Sequence, residues 1–283
     1  MTRTALVQLT SGDDPAKNLP MIQAMVAEAA ARGAAFVLTP EVSNCVSTSR
    51  TRQNQVLHHE ADDPTLAALR QQAQDLGLWL LIGSLGLKTE DSDGRFANRS
   101  FLIAPDGSIR ARYDKIHMFD VQVTPEETYR ESDGYRPGDA AILADTPFGA
   151  VGMTICYDVR FAHLYRALAQ AGARILTVPA AFSHVTGGAH WNTLLRARAI
   201  ETGCYVLAPA QCGQHAATRG QQRRTFGHSL AVSPWGEVLL DGGTEPGVYV
   251  FDMDDTAVTE ARRKIPSLGH TRPFKDPEAQ GRA

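Results

Sequence analysis

The sequence predicts an α/β protein whose sheets are covered by helices, and three observations carry that expectation. Short apolar runs rich in β-branched residues alternate with amphipathic helical stretches that close at glycine, as at Leu76-Gly77 and Ala171-Gly172. Hairpins signalled by Pro105-Asp-Gly107 and Pro234-Trp-Gly236 interrupt the alternation once in each half. No stretch rich in Gly, Ser or Pro separates the halves. The 283 residues therefore read as one layered domain, 1–270, with an extended charged tail, 271–283.

Taken in order, residues 4–8 form a buried strand. Asn18 is expected to cap a helix with Pro20 in its first turn; Leu19, Ile22, Val26, Ala29 and Ala30 make its apolar stripe, and Arg32-Gly33 ends it. Residues 35–38 are the next strand, stopping at Thr39-Pro40-Glu41. This βαβ unit delivers a carboxylate at the C-terminal end of its second strand. Asp63-Pro64 starts a helix that turns Leu66, Leu69, Ala73 and Leu76 inward, and strand 78–82 follows. Residues 96–103 and 108–113 form the first hairpin. The polar stretch 114–139 is too irregular for a core element, and a loop of that length is usually functional or disordered. In the second half, 141–143, 151–155, 175–178 and 204–208 are strands, with helices over 162–171 and 189–202. Residues 229–232 and 237–240 form the second hairpin, and strand 248–251 precedes a charged helix near 254–264.

Composition narrows the function classes. At 43% hydrophobic and 21% charged, the chain can bury a sizeable core, and a formal net charge of −3 gives no reason to expect nucleic acid or an anionic membrane as partner. No apolar run is long enough to span a bilayer, and Met1-Thr-Arg-Thr4 leads into a strand without a signal-type apolar region. Cys45, Cys156, Cys204 and Cys212 are too few for a disulfide scaffold, form no CxxC pair and lie at no zinc-like spacing with His. The expectation is a cytoplasmic protein with neither metal nor cofactor.

One segment stands out chemically. Val151-Gly-Met-Thr-Ile155 runs straight into Cys156 and a polar turn before the next helix, the outline of a nucleophile elbow. Such a turn lifts the sulfur out of the sheet, exposes backbone N–H groups to a developing oxyanion and places the thiolate near a helix N-terminus. A small buried Cys closing a strand fits the same residues. Glu41 and Lys115, in Tyr113-Asp-Lys-Ile-His117, lie at comparable strand ends, where ligands of α/β sheets gather.

Thr39-Pro-Glu41, Tyr113-Asp-Lys-Ile-His117 and Ile155-Cys-Tyr-Asp-Val-Arg160-Phe, in that order, resemble the three catalytic blocks of the nitrilase superfamily of carbon–nitrogen hydrolases. The likeness extends from about Thr4 to Pro266. It implies a four-layer α-β-β-α sandwich and a Glu41–Lys115–Cys156 triad, so that 1–270 would be a carbon–nitrogen hydrolase domain. Cysteine supplies the nucleophile for an amide carbon, Glu41 moves the proton, and Lys115 holds the oxyanion beside the Tyr157 N–H. A second site glutamate, expected from the family, matches Glu131 in Tyr129-Arg-Glu-Ser132, with Glu126 and Glu127 as rivals.

The residues after Cys156 resemble the Nit amidase branch, as do Phe182 and Thr186-Gly-Gly-Ala-His190-Trp191. The branch implies a small-molecule amide substrate: deaminated glutathione or a similar 2-oxo acid amide ahead of 2-oxoglutaramate, the ω-amidase substrate. A broader aliphatic amidase, an N-carbamoyl amino acid hydrolase and a non-catalytic scaffold are the alternatives. Tyr157, Arg160, Phe182, Thr186 and His190 are the candidate substrate contacts. Arg160 can grip a carboxylate through two hydrogen bonds or pair structurally with Asp158 or Glu201. Arg219, Arg223 and Arg224 read as a solvated face that a long anionic substrate could use. The family also implies a homodimer or higher homo-oligomer, to which Leu164, Leu168, Leu194 and Leu195 would lend apolar surface.

Overall fold

Alternation along the first strand sets the layering. In β1 (Thr2–Gln8), Ala5 and Val7 face one way and Leu6 the other, yet all three are fully buried, so both faces of the sheet must be covered. The same split recurs in β2 (Phe36–Leu38) and β3 (Trp79–Leu87): Leu38 and Leu81 lie on the inner face, Val37 and Leu80 on the outer. The computed structural model describes residues 1–125 and 127–275. Helices α1 (Pro15–Ala31) and α3 (Pro64–Leu76) cover the outer face through Ile22, Val26, Ala29, Leu66, Leu69 and Ala73; a short α2 (Arg50–Val56) lies between them in sequence.

The first sheet is completed by the hairpin of β4 (Ala97–Ile103) and β5 (Ile109–Asp114). On its other edge the strand Gly247–Met253, designated β16, pairs antiparallel with β1. After β5, β6 (Asp120–Gln122) and β7 (Thr128–Arg130) make a small hairpin of their own. The second sheet contains β8 (Ile142–Ala144), β9 (Val151–Met153), β10 (Ile175–Thr177) and β11 (Tyr205–Ala208). A separate pair, β12 (Cys212–Gln214) and β13 (Arg224–Phe226), precedes β14 (Leu230–Val232) and β15 (Val238–Asp241), which extend that sheet in the order β15-β14-β11-β10-β9-β8. Its inner face meets the first sheet, and α4 (Ala162–Gln170) and α5 (His184–Thr202) cover it outside. The result is the expected α-β-β-α sandwich. The site is built from the C-terminal ends of β2, β5, β9 and β10.

Several local expectations are corrected. Asp14, not Asn18, caps α1, its carboxylate accepting from the Ala16 N–H at 3.2 Å. Asn18 sits a turn inside, buried, where its amide bridges Gly12 and Asn44; Pro20 therefore lies within the helix. The loop 114–139 contains the β6–β7 hairpin and a 3₁₀ turn at Glu131–Asp133. Helix α5 begins at His184, taking in two glycines that sequence propensity disfavours. Tertiary packing overrides that preference: a Cβ on Gly187 would lie 2.3 Å from Cγ of Phe226. Leu164, Leu168 and Leu195 are buried within the chain and offer no face to a partner, while Leu194 packs against the same core and is only partly buried. A final helix, α6 (Ala257–Lys264), follows β16. The expected tail falls outside the described residues from 276 onward.

Candidate active site

Three side chains arrive from three strand ends. Glu41 follows β2, Lys115 directly follows β5, and Cys156 follows β9 through Thr154-Ile155. Their meeting needs a close approach of backbone. A Cβ on Gly83 in β3 would lie 1.9 Å from the Thr39 carbonyl oxygen, 2.5 Å from that of Pro40 and 2.6 Å from Cβ of Pro179. Glycine at this point lets the Glu41 turn and the segment after β10 close over the same strand. Val42 and Cys156 both take left-handed backbone, with φ of 43° and 48°. Such strain persists where neighbours impose it. The Val42 N–H donates to Ser84 Oγ at 2.7 Å, and the Cys156 N–H to the Pro179 carbonyl at 3.0 Å.

Lys115 Nζ donates to Glu41 Oε1 at 2.9 Å and to both oxygens of Glu131, at 2.9 and 2.8 Å. Asn98 Nδ2 donates to Glu41 Oε1 at 2.9 Å and reaches Glu131 Oε1 at 3.4 Å. The second Glu41 oxygen accepts from the Ala181 N–H at 2.7 Å, and Glu131 Oε2 accepts from the Phe119 N–H at 2.7 Å. Glu41 and Lys115 are almost wholly buried. Burial would raise the Glu41 carboxyl, but the Lys115 charge and hydrogen bond, with the Ala181 N–H, outweigh it and hold it below its ordinary value. Burial would also lower the Lys115 ammonium; the charges of Glu131 and Glu41 outweigh that and keep it well above its ordinary value.

The Cys156 thiol is raised well above its usual range, by burial first and then by the charge of Glu41; Lys115 pulls in the opposite direction. This corrects the expectation of a thiolate at a helix N-terminus. A 3₁₀ turn, Cys156–Arg160, separates the sulfur from α4. The resting site therefore holds a neutral thiol, a carboxylate and an ammonium. Among the described residues nothing accepts from the Tyr157 N–H.

A fully buried carboxylate locks the elbow to the Lys115 segment. Asp158 Oδ2 accepts from Tyr113 OH at 2.7 Å and from the Ile155 N–H at 2.9 Å. Its Oδ1 accepts from the His117 N–H at 3.1 Å and lies 2.7 Å from His117 Nδ1. His117 also stacks on Phe161, with ring centroids 3.5 Å apart. Tyr113 and His117 flank Lys115 by two residues on either side, and Asp158 lies two after Cys156.

Glu41, Lys115 and Cys156 open into a cavity of about 970 Å³. Tyr157, Phe182 and Thr186 line it, and so do Glu131 and Glu127. Glu131 grips Lys115, whereas Glu127 accepts from Tyr129 OH and Ser183 Oγ in the wall; Glu126 lies outside the described residues. Arg160 and His190 are not part of the lining. Arg160 reaches His190 Nδ1 at 3.3 Å and lies over the Tyr157 and Phe182 rings; it pairs with neither Asp158 nor Glu201, which bonds Arg198 instead. Arg223 and Arg224, expected on a solvated face, line the cavity. Asn98 and the Ala181 N–H are site groups that sequence reasoning missed. Asn98 stands in a stretch that resembles the family, but nothing in the chain marks its side chain as a partner of Glu41.

The carbon–nitrogen hydrolase family model matches residues 3–263. Deaminated glutathione amidase of Yersinia enterocolitica is 40% identical over 269 residues, 95% of this chain and 92% of that protein. Saccharomyces cerevisiae Nit3, described as a member of branch 10 of the nitrilase superfamily, superposes with a TM-score of 0.84 at 25% identity, covering 96% of this chain and 97% of that one. A mutant amidase from Nesterenkonia sp. AN1, with a TM-score of 0.75 and 27% identity over 94% of this chain and 98% of its own, carries acrylamide added to its active-site cysteine.

Proposed function

The chain belongs to the carbon–nitrogen hydrolase family and is an amidase, and from that premise we propose that it cleaves deaminated glutathione, or a similar 2-oxo acid amide, through a thioester on Cys156. The observation that carries the mechanism is the buried Lys115–Glu41 ion pair, Nζ to Oε1 at 2.9 Å, in the cavity that Cys156 also lines, with Lys115 keeping the carboxylate ionised. Sulfur attacks the amide carbon while its proton passes to Glu41. The Lys115 ammonium and the Tyr157 N–H hold the oxyanion. Glu41 returns the proton to the departing amine, leaving an acyl-thioester. Glu41 then takes a proton from water as that water attacks the thioester; collapse releases the acid and restores the thiol. Glu131 and Asn98 hold Lys115 and Glu41 in register throughout.

The substrate rests on the relatives named deaminated glutathione amidase, 37–40% identical over nearly the whole chain. A homodimer working in the cytoplasm completes the reading, and fractionation of cells that make the protein tests the compartment. Mass spectrometry of a reaction quenched in acid should find the acyl group on the Cys156 peptide. Acylation of Cys45, Cys204 or Cys212 instead would overturn the mechanism; burial raises all three thiols, Cys45 to about 12.

A further inference from the structure

We propose that Arg223 receives a carboxylate of the substrate and that this contact, not one with Arg160, sets a preference for acidic amides; the proposal rests on the amidase reading of the cavity. Arg223 lines the same cavity as Cys156. Its Nη2 donates to the Ala181 carbonyl at 2.8 Å and its guanidinium lies over the Tyr129 ring, 5.4 Å from the centroid. Its Nε is buried and without a partner, and among the described residues no carboxylate comes within ion-pair distance of it. A guanidinium that lines the cavity without an acidic partner can take a carboxylate through two parallel hydrogen bonds. Thr186, at the first turn of α5, lines the same cavity.

The charge of the wall agrees. Away from the Lys115 cluster it carries Arg50, Arg130, Arg223 and Arg224 against Glu127 and Asp133. Glu127 is occupied by Tyr129 OH and Ser183 Oγ, and Arg50 is committed to the carbonyls of Asp133, Asp93 and Gly94. Arg223 also shares a residue with the base: the Ala181 N–H donates to Glu41 while the Ala181 carbonyl accepts from Arg223. An acid held there belongs to a substrate whose amide lies over Cys156. Arg160, outside the lining, faces His190.

The test uses two amides, one with its acid on the acyl side and one with its acid on the amine side, each beside its methyl ester. The acid-to-ester ratio of kcat/KM should be about tenfold or more for at least one pair. Arg223→Gln should bring that ratio towards one, with Arg223→Lys between, since lysine keeps the charge without the planar fork. The pair that responds identifies the side. A ratio near one in the wild type overturns the proposal, as does a ratio that survives Arg223→Gln. So does a collapse produced by Arg160→Gln instead. Acid and ester falling together would show that Arg223 only supports the Ala181 peptide. Calorimetry of glutarate binding to the Cys156→Ala protein, with and without Arg223→Gln, decides the point even if no amide turns over. Roughly tenfold weaker binding supports the subsite, and equal affinity overturns it.

Discussion

Replacing Asp158 by Asn tests whether the elbow and the lysine segment act as one unit. The carboxylate takes two contacts on each oxygen: Tyr113 OH and the Ile155 N–H on Oδ2, and the His117 N–H and Nδ1 on Oδ1. An asparagine has one carbonyl oxygen, so whichever way it turns, its NH₂ faces one of the two backbone N–H donors. Tyr113 and His117 can adapt by rotating a hydroxyl or changing tautomer; a backbone N–H cannot. At least one buried donor is then left unpaired, at about 1–3 kcal/mol, and the remaining bonds lose the strength that the charge lends them. Together the loss should be roughly 3–5 kcal/mol, in line with breaking a buried charged network. At about 2 °C per kcal/mol for a chain of this size, the melting midpoint should fall by roughly 6–10 °C. Turnover should fall further than substrate binding, because Lys115 and the strained Cys156 lose their common anchor. Scanning calorimetry and steady-state kinetics read both effects. A midpoint within 2 °C of wild type together with unchanged kcat would refute the reasoning.

Two other expectations follow from groups away from the triad. His215 is buried, with Nδ1 2.8 Å from the Ser11 carbonyl and Nε2 2.7 Å from Thr225 Oγ1, and burial lowers it from 6.5 to about 4. Between those values the unfolded chain binds a proton that the folded chain does not, so stability is full above about pH 6.5 and declines towards pH 4, by roughly 3 kcal/mol. His215→Gln should flatten part of that decline in melting midpoint, and parallel curves for the two proteins would count against it. The homodimer should give a light-scattering mass of twice 30.7 kDa. Ile200, 55% exposed on α5 against the turn at Gly236, is where a charge should weaken it; a wild-type mass of one chain would exclude the dimer.

Much of this protein was determined locally. The helix over Pro64–Leu76 starts at Asp63 and stops at a left-handed Gly77 because capping and glycine stops act over three or four residues. The hairpins at Asp106-Gly107 and Trp235-Gly236 follow from turn chemistry in the same way. The ordered wording around Glu41, Lys115 and Cys156 pointed to the family that the whole-chain comparison shows. Only the tertiary structure decided what surrounds those residues. Asn98 reaches Glu41 across 57 residues and the Ala181 N–H across 140, and neither spacing leaves a mark in the chain. Arg223 sits in a polar stretch like any solvated one until β13 pairs with β12 and its guanidinium meets the Ala181 carbonyl. The leucines after Cys156 carry the same pattern whether a partner chain or the chain's own core buries them. The thiol was expected to be lowered by a helix dipole and is raised instead. Its ionisation depends on desolvation and on charges brought from other strands, and those distances exist only once the two sheets have closed on each other.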